Sequence, residues 1–297
     1  MDGRDKLGHD SAPFPPDPKD IPMPVLVVPE VDFIRGRTVL LPIFGDPIEQ
    51  VRSPEMVTAE LHSRGQDAVC IPLHIRPEDF EQSFPAMMKV PNFQGLLITI
   101  PFKVAASRFM DVLGPMAQRV GAINAAVRGP DGRWTGEAFD GIGCVEGFRR
   151  RGFSFAGKTV MLIGAGGAGA SIGIAIAFEK PKAMRLFDID EARAKALADK
   201  IGTVDKSIVV TIGPPTHEGI DYLLNSSPVG MLDDPNMPIA ASKLPRELVV
   251  FDTIVKPDET KLLKLAEACG CQTVYGREMM RGQISKIVDF FGYPKAK

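Results

Sequence analysis

The sequence is poor in the residues that announce a disulfide framework, a zinc centre or a nucleic-acid surface. Its 297 residues hold four cysteines, four histidines and one tryptophan. Cys70, Cys144, Cys269 and Cys271 lack CxxC spacing and stand in largely hydrophobic surroundings. They read as reduced packing residues, and the chain as cytosolic. His9, His62, His74 and His217 are scattered without a pair of the HExxH kind, so no metal site is assigned to them. An excess of one charge is missing too. Thirty-five basic side chains against 37 acidic ones give a net charge of −2, and no run of either sign builds a phosphate-tracking or membrane-surface face. Nucleic acid and membrane are therefore not expected partners. No internal repeat appears at solenoid or propeller periods. Residues 1–30 carry acids and prolines where a secretory signal needs a basic start and an apolar run, and read as a flexible tail.

Long uncharged runs are also scarce, with one exception, MLIGAGGAGASIGIAIAF at residues 161–178. It admits two readings, a membrane span or a strand, glycine loop and helix. A span needs about 20 apolar residues, and clustered glycines weaken an unsupported helix. The context favours the second. Gly164, Gly166 and Gly169 form GxGxxG directly after the β-like TVMLI and before the helical ASIGIAIAFEK, with Gly167 and Ala168 inside the loop. The first glycine of such a loop permits a tight turn, the second lets backbone amides approach a pyrophosphate, and the third lets helix and strand pack closely. Asp188, at the end of the next strand, stands near the spacing expected of an acid that accepts the adenosine ribose hydroxyls and repels a 2′-phosphate. That favours NAD, with NADP the second choice. Two alternatives stay open: Asp188 or Asp190 caps the following helix, or Arg193 offers a phosphate partner.

Around the loop the chain alternates β-branched runs with helical patterns. TVLLPIFG, SPEMVTAELHSRG, DAVCIPLHI, PEDFEQSFPAMMKV and GLLITIP read as strand, helix, strand, helix, strand, which implies a parallel sheet. NAAVRGPDGRWTG reads as a hairpin. TVMLIGA, AMRLFDI, SIVVTI, YLLNSS, LVVFDTI and QTVYG then read as six strands of a doubly wound domain. The amphipathic REMMRGQISKIVDFFG is expected to pack back on the first part. The fold class is thus α/β with two domains, an N-terminal α/β domain and a Rossmann-type dinucleotide-binding domain. The boundaries fall at 31–139 plus 276–297 for the first and 140–275 for the second.

Two stretches point to chemistry. LLITIPFK places Thr99 and Lys103 where a buried strand ends, and GEAFDGIG puts Asp140 at the start of the crossover helix. Taken alone, Lys103 also fits a solvated surface lysine and Asp140 a helix N-cap. Together with the glycine loop they occur in an ordered series: GDPIEQVRSP, TIPFK, GAIN, the Asp-Gly of DGIG, GAGGAG, NSSPVGM and GREMMRGQ. From about Thr38 to Phe291 the chain resembles the shikimate/quinate dehydrogenase family. The resemblance implies NAD(P)-dependent hydride transfer on a ring hydroxyl of a small cyclic hydroxy acid, with Lys103 and Asp140 as a proton-relay pair. It also implies substrate contacts from Ser53, Thr99, Asn124 and Gln283, and cofactor contacts from Asn225, Ser226, Thr253 and Gly276 besides the glycine loop. Plain structural roles compete at several positions: a helix cap for Ser53, strand filling for Thr99, a turn for Asn124, a solvent-facing position for Gln283. A homodimer is compatible with the sequence, which does not define the oligomeric state.

The chain departs from the family pattern at the pocket. Val51 stands where the first of two serines grips the substrate carboxylate, and Val255 where DTIVKP would carry a tyrosine. Ala138 and Phe139 replace an Asn-Thr pair, and Phe139 is expected to narrow the pocket mouth. Arg52 offers a replacement cation, unless it is a solvated helix-start residue. The competing class of function is a non-catalytic NAD sensor on the same fold.

Overall fold

The described residues form two six-stranded sheets, and a helix near the C-terminal end of these residues ties the first sheet to the second. The computed structural model describes residues 34–295, and the tail expected at 1–30 lies outside them. The first region runs β1 (Val39–Gly45), α1 (Ser53–Ser63), β2 (Ala68–His74), a 3-10 turn at Pro77–Asp79, α2 (Phe80–Met87), β3 (Gly95–Ile98), α3 (Lys103–Ser107), β4 (Val112–Leu113), α4 (Pro115–Val120), β5 (Ala125–Arg128) and β6 (Trp134–Glu137). Its sheet order is β2-β1-β3-β5-β6-β4. β1, β2 and β3 pair in parallel as expected, because helices α1 and α2 supply the crossovers. The sheet as a whole is mixed. β5 and β6 form the expected hairpin, closed by Gly129 N–H donating to the Arg133 carbonyl, and β5 adds antiparallel to β3. The short elements α3, β4 and α4 did not show as separate elements in the sequence pattern.

α5 (Asp140–Arg150) crosses to the second region: β7 (Thr159–Ile163), α6 (Gly167–Phe178), β8 (Ala183–Phe187), α7 (Glu191–Val204), β9 (Val209–Ile212), β10 (Tyr222–Asn225), β11 (Val249–Asp252), α8 (Lys261–Ala268), β12 (Gln272–Val274) and α9 (Gly276–Phe290). All six strands expected there form, in the order β12-β11-β10-β7-β8-β9, and every pair is parallel. The chain order reverses between β7 and β10. Loops leaving the carboxyl ends of these two strands diverge, and the crevice between them is where α/β sheets bind ligands. The uncharged run of 161–178 resolves into β7, the glycine loop and α6, whose residues from Gly169 to Ala177 are all buried. A helix apolar on every side is a helix enclosed by protein. Among the described residues no helix is long and apolar enough to cross a membrane.

α9 returns to the first sheet. Ile284, Ile287, Val288 and Phe291 join Leu41, Val57 and Leu61 in one buried cluster. A second cluster on the other face of that sheet stacks Phe80 between Phe84 and Phe102, with ring centroids 4.8 and 4.1 Å apart. Phe139 is part of the α9 cluster, its ring 5.3 Å from that of Phe290. It therefore fills core and does not narrow the pocket mouth.

Candidate active site

Residues from helices of both regions and from the loops that follow their strands meet in one cleft. Its lining includes Ser53, Thr99, Lys103, Asn124, Asp140 and Gln283, and on the opposite side Ala168, Ser226 and Thr253. The local reasons differ. β3 ends at Ile98, so Lys103 does not stand at a strand terminus but in the first turn of α3. Asp140 opens α5, where the partial positive charge of a helix N-terminus favours a carboxylate.

The centre of the cleft is a hydrogen-bonded ion pair. Lys103 Nζ donates to Asp140 Oδ2 at 2.5 Å, with the two side chains 13% and 6% exposed. Asn124 Nδ2 donates to Asp140 Oδ1 at 2.9 Å and to Gln283 Oε1 at 2.8 Å, while Asn124 Oδ1 accepts from the Phe139 N–H at 2.8 Å. Both carboxylate oxygens of Asp140 are thus engaged, and neither caps the helix. Asn124 and Gln283 are buried, which excludes the turn-only and solvent-facing readings. Ser53 is buried at the start of α1, where no side-chain cap forms. Thr99 lies beyond the end of β3 and lines the cleft.

On the other wall the glycine loop has the geometry that a dinucleotide requires. Gly164 adopts φ +93°, and a side chain at Gly169 would place its Cβ 2.0 Å from the Gly164 carbonyl oxygen. At Gly166, which caps the N-terminus of α6, a Cβ would meet nothing within 4 Å. That open space in front of the first amides of a buried helix fits a pyrophosphate. Gly167 faces the ion pair, since a Cβ there would stand 3.0 Å from Lys103 Cβ. Asp188 accepts from the Ala165 N–H at 2.7 Å and from the Asp190 N–H at 2.9 Å, so its carboxylate belongs to the loop. Capping of α7 falls to Asp190, which accepts from the Ala192 N–H at 3.1 Å. Arg193 is paired with Asp190 at 3.3 Å.

One cofactor-side assignment changes. Asn225 is fully buried at the end of β10 and does not line the cleft. Its amide donates to Asp252 and the Val229 carbonyl and accepts from the Ser227 N–H and hydroxyl. Both polar atoms of the side chain are engaged by the 225–229 loop and by Asp252, so Asn225 shapes that loop. Ser226 lines the cleft with its hydroxyl within reach of the Ile163 and Gly164 carbonyls, at 2.8 and 2.7 Å. Gly276 starts α9 against the Thr253 and Ile254 carbonyls, 2.6 and 2.5 Å from where a Cβ would lie, and Thr253 lines the cleft.

Sequence reasoning missed three groups. Ser171 on α6 accepts from the Gly141 N–H at 2.9 Å and so ties the glycine-loop helix to α5. Asp252, wholly buried, accepts from Asn225 Nδ2, the Ile254 N–H and the Thr260 hydroxyl, and burial pushes its pKa up to about 7. Gln50 lines the cleft with its amide unpartnered. The last two carry no local sequence signal, since both depend on what is packed around them. Val51 and Val255 line the cleft as expected, and Arg52 at its rim is paired with Glu55.

Comparisons with known proteins agree with this geometry. Residues 43–126 match the family model described as the shikimate dehydrogenase substrate binding domain. The shikimate dehydrogenase (NADP(+)) of Alkaliphilus oremlandii is 30% identical over 259 residues, which cover 84% of this chain and 90% of that one. Among solved structures, shikimate 5-dehydrogenase from Listeria monocytogenes in complex with shikimate and NAD is 29% identical with a TM-score of 0.75, over 88% of this chain and 94% of that one. Quinate dehydrogenase from Corynebacterium glutamicum in complex with NAD is 28% identical with a TM-score of 0.74, over 86% and 93%. On sequence, fold and the arrangement of its cleft, the chain belongs to the shikimate dehydrogenase family of oxidoreductases.

Proposed function

We propose that the protein is an NAD-preferring oxidoreductase that interconverts a ring hydroxyl and the corresponding ketone of a cyclic hydroxy acid of the shikimate or quinate type. The acid is held by residues 31–139 with 276–297, the cofactor by residues 140–275. The observation that carries the reading is the buried Lys103–Asp140 pair directly beside the glycine loop at Gly167. Bound NAD would supply the acceptor for the hydride that leaves the carbinol carbon. The chain's own residues must then manage the hydroxyl proton. Free lysine, with a pKa of about 10.4, is a poor base at neutral pH, and an adjacent carboxylate favours its charged form. The pair therefore acts as one unit: Lys103 Nζ holds the substrate oxygen by a hydrogen bond, and as the hydroxyl proton passes to Nζ a proton of Nζ passes along the existing bond to the Asp140 carboxylate, so that the pair gains one proton in oxidation. Asn124 fixes the orientation of Asp140, and Gln283, Ser53 and Thr99 hold the ring hydroxyls in register.

Gly164, Gly166, Gly167, Ala168 and Gly169 would hold the pyrophosphate, and Asp188 the adenosine ribose. Support for NAD over NADP is the carboxylate of Asp188 at the loop, the fully exposed apolar Ile189 after it, and the engagement of Arg193 with Asp190. The buried, unpaired thiols of Cys70, Cys144 and Cys271 suit a reducing compartment, the cytosol.

The test is NAD reduction followed by absorbance with shikimate and quinate, in the wild type and in Lys103→Ala. The variant is expected to lose about 10²–10⁴-fold in kcat while its NAD dissociation constant stays nearly unchanged. Retention of most turnover would sink the reading.

A further inference from the structure

We propose that Gln50 is a specificity-determining residue, whose amide selects an acid bearing a hydroxyl on the same carbon as its carboxylate, as in quinate, over one whose carboxylate sits on a double-bonded carbon, as in shikimate. The inference rests on the reading of the cleft given above.

Gln50 lies in the loop between β1 and α1, is 5% exposed, and lines the cleft beside Val51 and Ser53. Neither its Nε2 nor its Oε1 has a hydrogen-bond partner among the described residues. A buried amide with both ends unsatisfied is costly in the empty protein, and a ligand that satisfies both ends recovers that free energy on binding. Among the residues that line the cleft, Val51, Val57, Ile43, Leu97 and Ile284 are apolar, Arg52 is paired with Glu55, and the hydroxyls of Ser53 and Thr99 make no hydrogen bond to the Gln50 amide. The two hydroxyls that the family pattern would place here are absent at Val51 and Val255. Lys256, exposed and among the residues that line the cleft, makes no ion pair among the described residues and offers a cation to a carboxylate.

A primary amide has two N–H donors and one carbonyl acceptor, whereas an ionised carboxylate only accepts. A carboxylate alone therefore satisfies Nε2 and leaves Oε1 without a donor and facing a like charge. An α-hydroxy carboxylate presents an acceptor oxygen and an O–H donor on neighbouring atoms. Nε2 donates to the first and Oε1 accepts from the second, so both orphaned atoms are used. Sites built to hydrogen-bond a substrate hydroxyl discriminate strongly against the analogue that lacks it, because their own polar groups are then left unpaired.

The experiment compares kcat/KM for quinate and shikimate, with NAD, in the wild type and in Gln50→Met, which keeps the side-chain length and removes both polar ends. The wild type is expected to prefer quinate by at least about tenfold, and Gln50→Met to lose at least about tenfold more on quinate than on shikimate, mainly in KM. Thermal denaturation of the variant is expected at or above the wild-type midpoint, because an unsatisfied amide has been removed. Wild-type preference for shikimate, or an equal effect of the variant on both acids, overturns the assignment to Gln50 and leaves the proposed function standing. Turnover of neither acid by the wild type overturns both.

Discussion

Asp188 shows how a single side chain is assigned by its partners. A carboxylate in the short junction between a strand and the following helix is commonly a helix cap, and here a second aspartate, Asp190, does that work. Asp188 is left to bond the Ala165 N–H within the glycine loop. On the proposed reading its charge serves the adenosine ribose, and a 2′-phosphate there would be repelled. Replacing Asp188 by Ser removes the repulsion. The ratio of kcat/KM for NADP to that for NAD should rise by roughly tenfold or more, equivalent to about 1.4 kcal/mol. An unchanged ratio would show that Asp188 only shapes the loop. The same logic separates Lys103 from an ordinary surface lysine: its ammonium is largely buried and bonded to a carboxylate that Asn124 orients, Asn124 being held in turn by Gln283. Neither distinction is visible in a string of residue names.

At the scale of elements, β10 and β11 end side by side and deliver Asn225 and Asp252 into contact at 3.1 Å. Both are completely buried. Through Asn225 the pair anchors the Ser227 end of a cleft-lining loop, and through Thr260 it anchors the start of α8, whose Leu263 N–H bonds to the same threonine. Desolvation raises the Asp252 pKa from 3.8 to about 7. The folded chain therefore holds a proton that the unfolded chain releases between these values, and the stability this contributes is full below pH 3.8 and lost as pH rises through about 7. Asp252→Asn keeps the shape and cannot ionise. Relative to wild type it should gain about 2–3 kcal/mol in unfolding free energy between about pH 5 and about pH 8, read by denaturant titration at both pH values. A constant difference would show that Asp252 stays ionised.

How much of these elements was legible depends on their length and surroundings. The six strands of the second sheet stand out because parallel strands covered on both faces are continuous β-branched runs. α3, β4 and α4, with five, two and six residues, are too short for a period to register. The parallel sheet expected of the first region became mixed for a similar reason. The hairpin was readable, whereas the side of the sheet on which it adds was set by packing of β5 against β3.

For the molecule as a whole, α9 is the element that makes the site complete. It closes the core of the first sheet with Ile284, Ile287 and Val288 and brings Gln283 to Asn124 across 159 positions of sequence. Arg64, at the end of α1 and with its side chain 3% exposed, fastens it: the guanidinium bonds Glu60 at 2.6 Å, Asp289 at 2.5 Å and the Ser285 hydroxyl at 2.8 Å. Arg64 itself is buried whereas Asp289 is half exposed, so water compensates part of the loss when the guanidinium is removed. Arg64→Met should cost about 1–2 kcal/mol of stability. Because Gln283 rides on the same helix, KM for the acid should rise more than KM for NAD. Wild-type stability in this variant would show that apolar packing alone docks α9.

The amino-acid sequence by itself determined the parts. Periodicity and turn residues set the strands and long helices, and the glycines at 164, 166 and 169 set the loop, because these depend on backbone sterics and on neighbours a few residues away. Tertiary structure alone decided which parts meet. It placed Ser53, Lys103, Asn124, Asp140 and Gln283 around one cleft, put Phe139 into core, spent Asn225 inside its own loop and left the Gln50 amide without a partner. Burial and hydrogen-bond satisfaction are properties of what surrounds a side chain, and those surroundings come from segments far apart along the chain.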